Sequence, residues 1–176
     1  MRFPLTVAAL VLTTVTVFAQ TPYAGMQTRP IKALSEQQVA DLQAGRGMGL
    51  ALAAELYGYP GPAHVLELAD KLDLSADQRA KVQQLFASMK QEALLLGSKL
   101  IEQETELDRQ FAGHAITPVS LKSATAAIAI TQGELRETHL KYHLSTVALL
   151  TASQRQRYSE LRGYGDHAVN PMHHHD

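Results

Sequence analysis

The chain of 176 residues contains no cysteine and no tryptophan, and it has only four phenylalanines and six tyrosines. Without cysteine it can form no disulfide and holds no thiol nucleophile, so packing must supply its stability. Its formal net charge is −1 at pH 7. Because neither sign of charge dominates, the composition gives no argument for nucleic-acid binding.

Catalytic motifs are absent as well. The sequence has no Gly-x-Ser-x-Gly nucleophile elbow, and the glycine-rich segment 45–49 is not followed by the Lys-Ser/Thr of a phosphate-binding loop. Leu140 follows His139, where the zinc metalloprotease motif His-Glu-x-x-His requires glutamate. The sequence therefore predicts that the protein is not an enzyme.

One long apolar run lies at the N-terminus. Arg2 precedes an apolar stretch from Leu5 to Ala19, which ends in residues suited to a cleavage site. We predict a signal peptide over residues 1–19, cleaved before Gln20, and a periplasmic location. The run is short for a transmembrane helix, and an uncleaved anchor is the alternative.

The chain is rich instead in signals that start helices. A phrase of the form Leu-Ser/Thr-x-x-Gln occurs three times, beginning at Leu34, Leu74 and Leu150. In each copy the hydroxyl can cap the backbone N–H three residues later, and the glutamine side chain can reach back to the cap. The phrase therefore predicts helix starts near residues 35, 75 and 151.

The whole pattern predicts an all-α fold, since no stretch alternates polar and apolar residues as a strand does. Residues 20–34, which contain proline and glycine, predict a flexible N-terminal arm. A helical domain follows over residues 35–162. Its first helix should run towards Tyr57 and break near Arg46, because three glycines surround that residue.

The centre of the predicted domain is a long antiparallel helical hairpin with short flanking helices. Residues 76–111 and 118–150 form its two arms, because the short turn between them makes the arms antiparallel neighbours. A short helix from Pro62 to about Leu72 precedes the hairpin, and a last one ends near Arg162. A residue count from the turn places the second and third copies of the phrase together at one end of the hairpin.

Both long helices carry apolar stripes at helical spacing. The first helix has a second stripe beside the main one, and a single packing partner does not cover both. The short helix, a second subunit or a client protein can supply the cover, and we expect a homodimer because one hairpin has little interior. Phe86, Leu94 and Ile101 of the second stripe are the candidate client or dimer surface. The main stripes are Val82, Leu85, Met89, Ala93, Leu96, Leu100, Leu107 and Phe111, and then Leu121, Ala124, Ile128, Leu135, His139, Tyr142 and Leu149.

Histidine spacing gives the main functional signal. His139 and His143 are four residues apart, which puts both imidazoles on one helix face, close enough to bind one metal ion. The count along the hairpin places His64 and Met89 near the same height, with Glu67 one turn from His64. These residues predict a shared metal site. The alternative for the histidines is a core position with a hydrogen bond to a carbonyl, and for Met89 it is packing.

A second group of metal ligands lies in residues 163–176, which predict a disordered tail. Imidazole and thioether ligands in such a segment suit copper or nickel foremost, and also zinc. A solvated tail or a tag remnant is the alternative. The tail ligands are His167, Met172, His173, His174 and His175.

An exported all-α chain with Leu-Ser/Thr-x-x-Gln phrases and a long hairpin resembles the Spy/CpxP family of periplasmic proteins. The likeness covers roughly residues 62–162 and is strongest at Leu74–Gln78 and Leu150–Gln154. Similarity to Spy implies an ATP-independent chaperone, a thin curved helical dimer that holds unfolding clients. Similarity to the heavy-metal sensor branch implies binding of nickel, cobalt or zinc through helix histidines, and signalling to a membrane partner. That branch has a His-x-x-x-His pair on an earlier helix, whereas here Leu68 stands four residues after His64.

The sequence thus predicts a periplasmic metal-binding protein of the heavy-metal sensor or resistance type. Helix and tail histidines would bind a divalent transition metal, namely nickel, copper, zinc or cobalt. The alternative is a periplasmic chaperone that binds unfolding proteins on the surface of a helical dimer. The expected partners are a second copy of the chain, unfolded clients or a membrane signalling protein, and not nucleic acid.

Overall fold

Six α-helices make up the part of the chain that a computed structural model describes, residues 23–164. No strand occurs within these residues, so the predicted all-α class with its long hairpin is confirmed. The predicted signal peptide and the tail ligands from His167 onward lie outside the described residues. None of the helices described is both long and apolar enough to cross a membrane. The helices are α1 (Glu36–Gln43), α2 (Leu52–Leu56), α3 (Pro62–Glu67), α4 (Ala76–Ala112), α5 (Pro118–Val147) and α6 (Ala152–Arg162).

The capping phrases start the helices as predicted. Ser35, Ser75 and Thr151 each accept a hydrogen bond from the backbone N–H three residues later, and the glutamine there accepts one from the backbone N–H of the cap. Thr117 and Ser120 form a fourth such pair at the start of α5. The leucine that opens each phrase is buried. The phrase therefore fixes a helix start and anchors it in the core.

Two copies of the phrase meet at one end of the hairpin, as the count predicted. Gln78 Nε2 donates to the Leu149 carbonyl at 2.8 Å and to Gln154 Oε1 at 2.9 Å. Gln154 Nε2 donates to the Leu72 carbonyl at 3.2 Å. The capping glutamines thus tie the starts of α4 and α6 to the end of α5 and to the α3–α4 connection.

Two apolar clusters occupy different levels of the hairpin, with a polar layer between them. Along α4, Met89 lies between Val82 of one cluster and Ala93 of the other. Along α5, His139 and His143 occupy the corresponding interval. The first cluster contains Ile31, Leu34, Leu42, Ala93, Leu100, Ile128 and Leu135, and the second contains Val65, Ala69, Leu72, Leu74, Val82, Leu150 and Tyr158.

Helix α1 and the loop after it cover much of the second stripe on α4. A Cβ on Gly97 would lie 2.6 Å from the Leu42 carbonyl oxygen, and one on Gly45 would lie 3.4 Å from Leu94 Cγ. Ile101 packs against the first cluster, and Phe86 lines a cavity beneath the same loop. Phe86, Leu94 and Ile101 are therefore only partly exposed, and much of their cover comes from α1 and its loop, which were not among the three covers considered.

The N-terminal segment differs from the predicted flexible arm. Ile31 is 7% exposed and Leu34 is 9% exposed, both within the first cluster. Lys32 Nζ lies 3.4 Å from the Asp108 carboxylate. The turns that proline and glycine impose here therefore bring two apolar side chains onto the hairpin, where their burial favours a packed segment.

Helix bounds and the hairpin turn also depart from expectation. The predicted break near Arg46 is confirmed, since α1 ends at Gln43, but α3 ends before the predicted Leu72. Phe111 is 52% exposed and Leu121 is 38% exposed, although both were placed on buried stripes. Residues 111–115 at the hairpin turn are all exposed.

The close crossing of α1 and α4 can be tested at two helical glycines. We expect Gly97→Ala to lower the free energy of unfolding by about 1–3 kcal/mol, because the new methyl group meets backbone rather than a movable side chain. In Gly133→Ala, in α5, the new methyl group would meet nothing within 4 Å. This change should raise the free energy of unfolding by roughly 0.5–1 kcal/mol. Chemical unfolding of both variants measures the difference. Equal effects at the two sites would contradict the close packing of α1 on α4.

Candidate metal centre

A cavity of about 650 Å³ lies at the polar layer of the hairpin. Its walls come from the loop after α1 and from α2, α3, α4 and α5. His64, Glu67, Met89, His139 and His143 all line it, so the structure brings the predicted helix ligands to one place. Phe86 lines it too, whereas Leu94 and Ile101 do not.

His143 presents one ring nitrogen to the cavity region. Its Nδ1 lies 2.6 Å from the Tyr59 carbonyl oxygen. Because a carbonyl can only accept, Nδ1 carries a proton towards Tyr59, and Nε2 is the ring nitrogen left for a further partner. A Cβ on Gly61 would lie 2.7 Å from that Nε2 and 2.8 Å from Cε1, so the ring packs against the Gly61 backbone at a distance that only glycine allows.

His64 is oriented in a similar way by a carboxylate. Its Nδ1 lies 3.3 Å from Glu55 Oε1, and its side chain is 39% exposed. An ionised carboxylate can only accept, so the nitrogen that faces Glu55 carries a proton, and Nε2 is the ring nitrogen left for another partner. A metal-binding histidine commonly has its other nitrogen held by a carboxylate or carbonyl in this way.

His139 is the most deeply buried of the three histidines. Its side chain is 3% exposed, and its Nε2 has no hydrogen-bond partner. Its Nδ1 faces the loop, where a Cβ on Gly47 would lie 3.5 Å away. Burial and then the nearby His143 lower the pKa of His139, so the ring is neutral near pH 7. A buried ring nitrogen without a partner costs about 1–3 kcal/mol, which a bound ion can offset.

Glu55 is the central polar group beside these histidines, although no sequence pattern singled it out. Its carboxylate accepts hydrogen bonds from the Tyr158 hydroxyl and the Gly61 N–H, and Arg162 Nε lies 3.7 Å away. Burial alone would raise its pKa, but hydrogen bonds from His64 and Tyr158 outweigh it and lower the pKa to about 2. Burial, then this bond, raises the pKa of Tyr158. The sequence signal that could have identified Glu55 is its position as an acidic residue inside the apolar run 50–56.

The predicted ligands do not yet form a closed coordination site. Within residues 23–164, no group of three or more His, Asp or Glu side chains is arranged to hold a metal ion. His64 is the most exposed of the three histidines and has the most room to move. Binding of one ion by all three imidazoles therefore requires a change of side-chain conformation at the cavity.

The role of Glu55 in ordering the site can be tested through stability in metal-free buffer. We expect Glu55→Gln to lower the free energy of unfolding at pH 7 by about 1–3 kcal/mol, because buried donors lose a charged acceptor. Glu67→Gln, at an exposed position on the same cavity, should change it by less than about 0.5 kcal/mol.

The pH dependence has a definite sign. Because folding depresses the pKa of Glu55, its stabilising effect is present above about pH 4.5 and is lost as the pH falls towards about 2. The difference in free energy of unfolding between wild type and Glu55→Gln, measured in urea titrations, should therefore become smaller over that pH range. A difference that stays constant with pH would argue against an ionised Glu55.

Comparison with protein-family models, with curated proteins and with solved structures finds no match for this chain, so its resemblance to the Spy/CpxP family stays a prediction.

Proposed function

We propose that the protein is an exported metal-binding protein of the heavy-metal sensor or resistance type. His64, His139 and His143 would bind a transition metal ion at the cavity between α2, α3, α4 and α5. The observation that supports this most is that three histidines line one cavity, and that the most buried of them, His139, has a ring nitrogen without a hydrogen-bond partner.

The chemistry of the three imidazoles fits such an ion. His143 and His64 have Nδ1 held by the Tyr59 carbonyl and by Glu55, which leaves Nε2 of each neutral ring as a possible ligand. His139 is kept neutral by burial and needs no deprotonation near pH 7. Imidazole suits zinc, copper and nickel, so the donor set alone admits several late first-row metals.

The chaperone alternative receives less support from the part of the chain that the structure describes. Phe86, Leu94 and Ile101 were the candidate client surface, and all three are only partly exposed beneath the chain's own loop and α1. Exposed apolar side chains do occur near the hairpin turn, at Phe111 and Val119. They are not on the stripe that suggested client binding.

The metal site can be tested with a double variant, His139→Ala/His143→Ala. We expect calorimetric titration with nickel, copper and zinc to show a loss of affinity of about tenfold or more, because two of three imidazoles are gone. The four tail histidines and Met172 are replaced by alanine in every sample, so that only the cavity is titrated.

The matched control is His114→Asn, at the exposed hairpin turn far from the cavity along both arms. Asparagine tolerates the left-handed backbone of this residue, whose φ is 51°. This control should bind as tightly as the unaltered site. Equal affinities in the double variant and the control would rule out the cavity as the site.

A second test blocks a ligand without removing it. Gly61→Ala should weaken metal binding by about tenfold, because its methyl group meets Nε2 and Cε1 of His143 at 2.7 and 2.8 Å and must displace the ring. The Gly61 backbone has φ −81°, which alanine adopts readily, and its N–H remains to bind Glu55. Gly133→Ala is the control for a glycine replacement elsewhere. Full affinity in Gly61→Ala would show that His143 Nε2 is not a ligand.

A further inference from the structure

We propose that the cavity binds a soft monovalent cation, Cu(I) or Ag(I), through the thioethers of Met48 and Met89 together with its histidines. This inference rests on the proposed function and specifies its metal. Both methionines line the same cavity as His64, His139 and His143. Thioether sulfur is a soft ligand that favours Cu(I), and the chain has no cysteine to take that role.

The two methionines come from different elements, Met89 from α4 and Met48 from the loop after α1. Met89 is buried on α4, one turn before Glu92, whose carboxylate accepts a hydrogen bond from Tyr142 on α5. This pairing puts Met89 level with the turn of α5 that carries His139 and His143. Met48 follows Gly47, which lies against the His139 ring. The cavity therefore has one methionine from α4 and one from the loop next to its most buried imidazole.

The backbone conformation of Met48 is a second observation that supports a functional role for this residue. Its φ is 45°, in the left-handed region, which costs a residue other than glycine roughly 1–2 kcal/mol. Asp73 and His114 are the other such residues among those described, and both types are enriched in this conformation, whereas methionine is not. Strain of this kind concentrates at functional sites. Here it occurs at a methionine that is 39% exposed and lines the cavity, in a loop that already contains three glycines.

The charge of the cavity points to the same class of ion. Glu55 accepts hydrogen bonds from Tyr158 and Gly61 and lies 3.3 Å from His64 Nδ1, and Glu67 is exposed at the cavity. The other donors that line the cavity are three imidazoles and two thioethers, all of them nitrogen or sulfur. Hard divalent ions favour carboxylate and water ligands, whereas a neutral set of nitrogen and sulfur donors suits a soft cation of low charge.

The test compares Cu(I) with divalent ions in the full chain with its tail ligands replaced by alanine. Cu(I) is kept reduced with ascorbate without oxygen, and bicinchoninate competes for it; nickel and zinc are titrated in parallel. We expect Met48→Leu/Met89→Leu to weaken Cu(I) binding by about tenfold or more and to change nickel and zinc binding by less than about threefold. Met26→Leu, in the turn before α1, should change neither.

The outcomes separate this inference from the proposed function. If the methionine variant keeps its Cu(I) affinity while His139→Ala/His143→Ala loses it, the thioether inference fails and the histidine site stands. If both variants keep full affinity for every metal, the thioether inference and the proposed histidine site both fail. X-ray absorption of the Cu(I)-loaded, tail-substituted chain provides a check that needs no cavity variant. Sulfur in the first coordination shell supports the inference, and a shell of nitrogen alone overturns it.

Discussion

The buried carboxylate of Glu55 is the interaction on which the arrangement of the site depends. It accepts hydrogen bonds from Tyr158 on α6 and from the Gly61 N–H before α3, and it orients His64. Helices as short as α2 and α3 are not stable alone, so tertiary contacts must hold them in place. One charged group with several donors does this, and it stays ionised because those donors outweigh the effect of burial on its pKa.

Glycine makes the close approaches around this layer possible. At Gly97 the α1 backbone comes so near α4 that a side chain would not fit, and at Gly61 the backbone faces His143 Nε2 directly. Glycine is needed at both positions because a side chain would not fit. The loop glycines differ, because they have a positive φ that other residues rarely adopt. The glycines that break the first helix therefore have a positive use, because the broken segment forms a wall of the cavity.

Much of the fold could be predicted because its signals are local. The capping phrase fixes helix starts, and the short turn after α4 fixes the hairpin register, from which the common height of His64, Met89 and His139 follows. Glu55 and Met48 could not be found this way, since neither belongs to a spacing pattern and each reaches the cavity through an irregular loop. The packing of Ile31 on the hairpin was missed for a similar reason, because nearby proline and glycine indicate turns and not what the turns bring together.

Competition between metal ions and protons follows from how the three rings are held. Burial lowers the pKa of His139, so a metal ion bound there would displace no proton near neutral pH. At His143 the Tyr59 carbonyl accepts from Nδ1–H, and at His64 Nδ1 faces Glu55. If the proposed site binds an ion, Nε2 of both rings is thus left for it in advance, and the main change required is the movement of His64. Such a cavity would lower the entropic cost of binding, and its nitrogen and sulfur donors would leave the choice of ion to ligand softness.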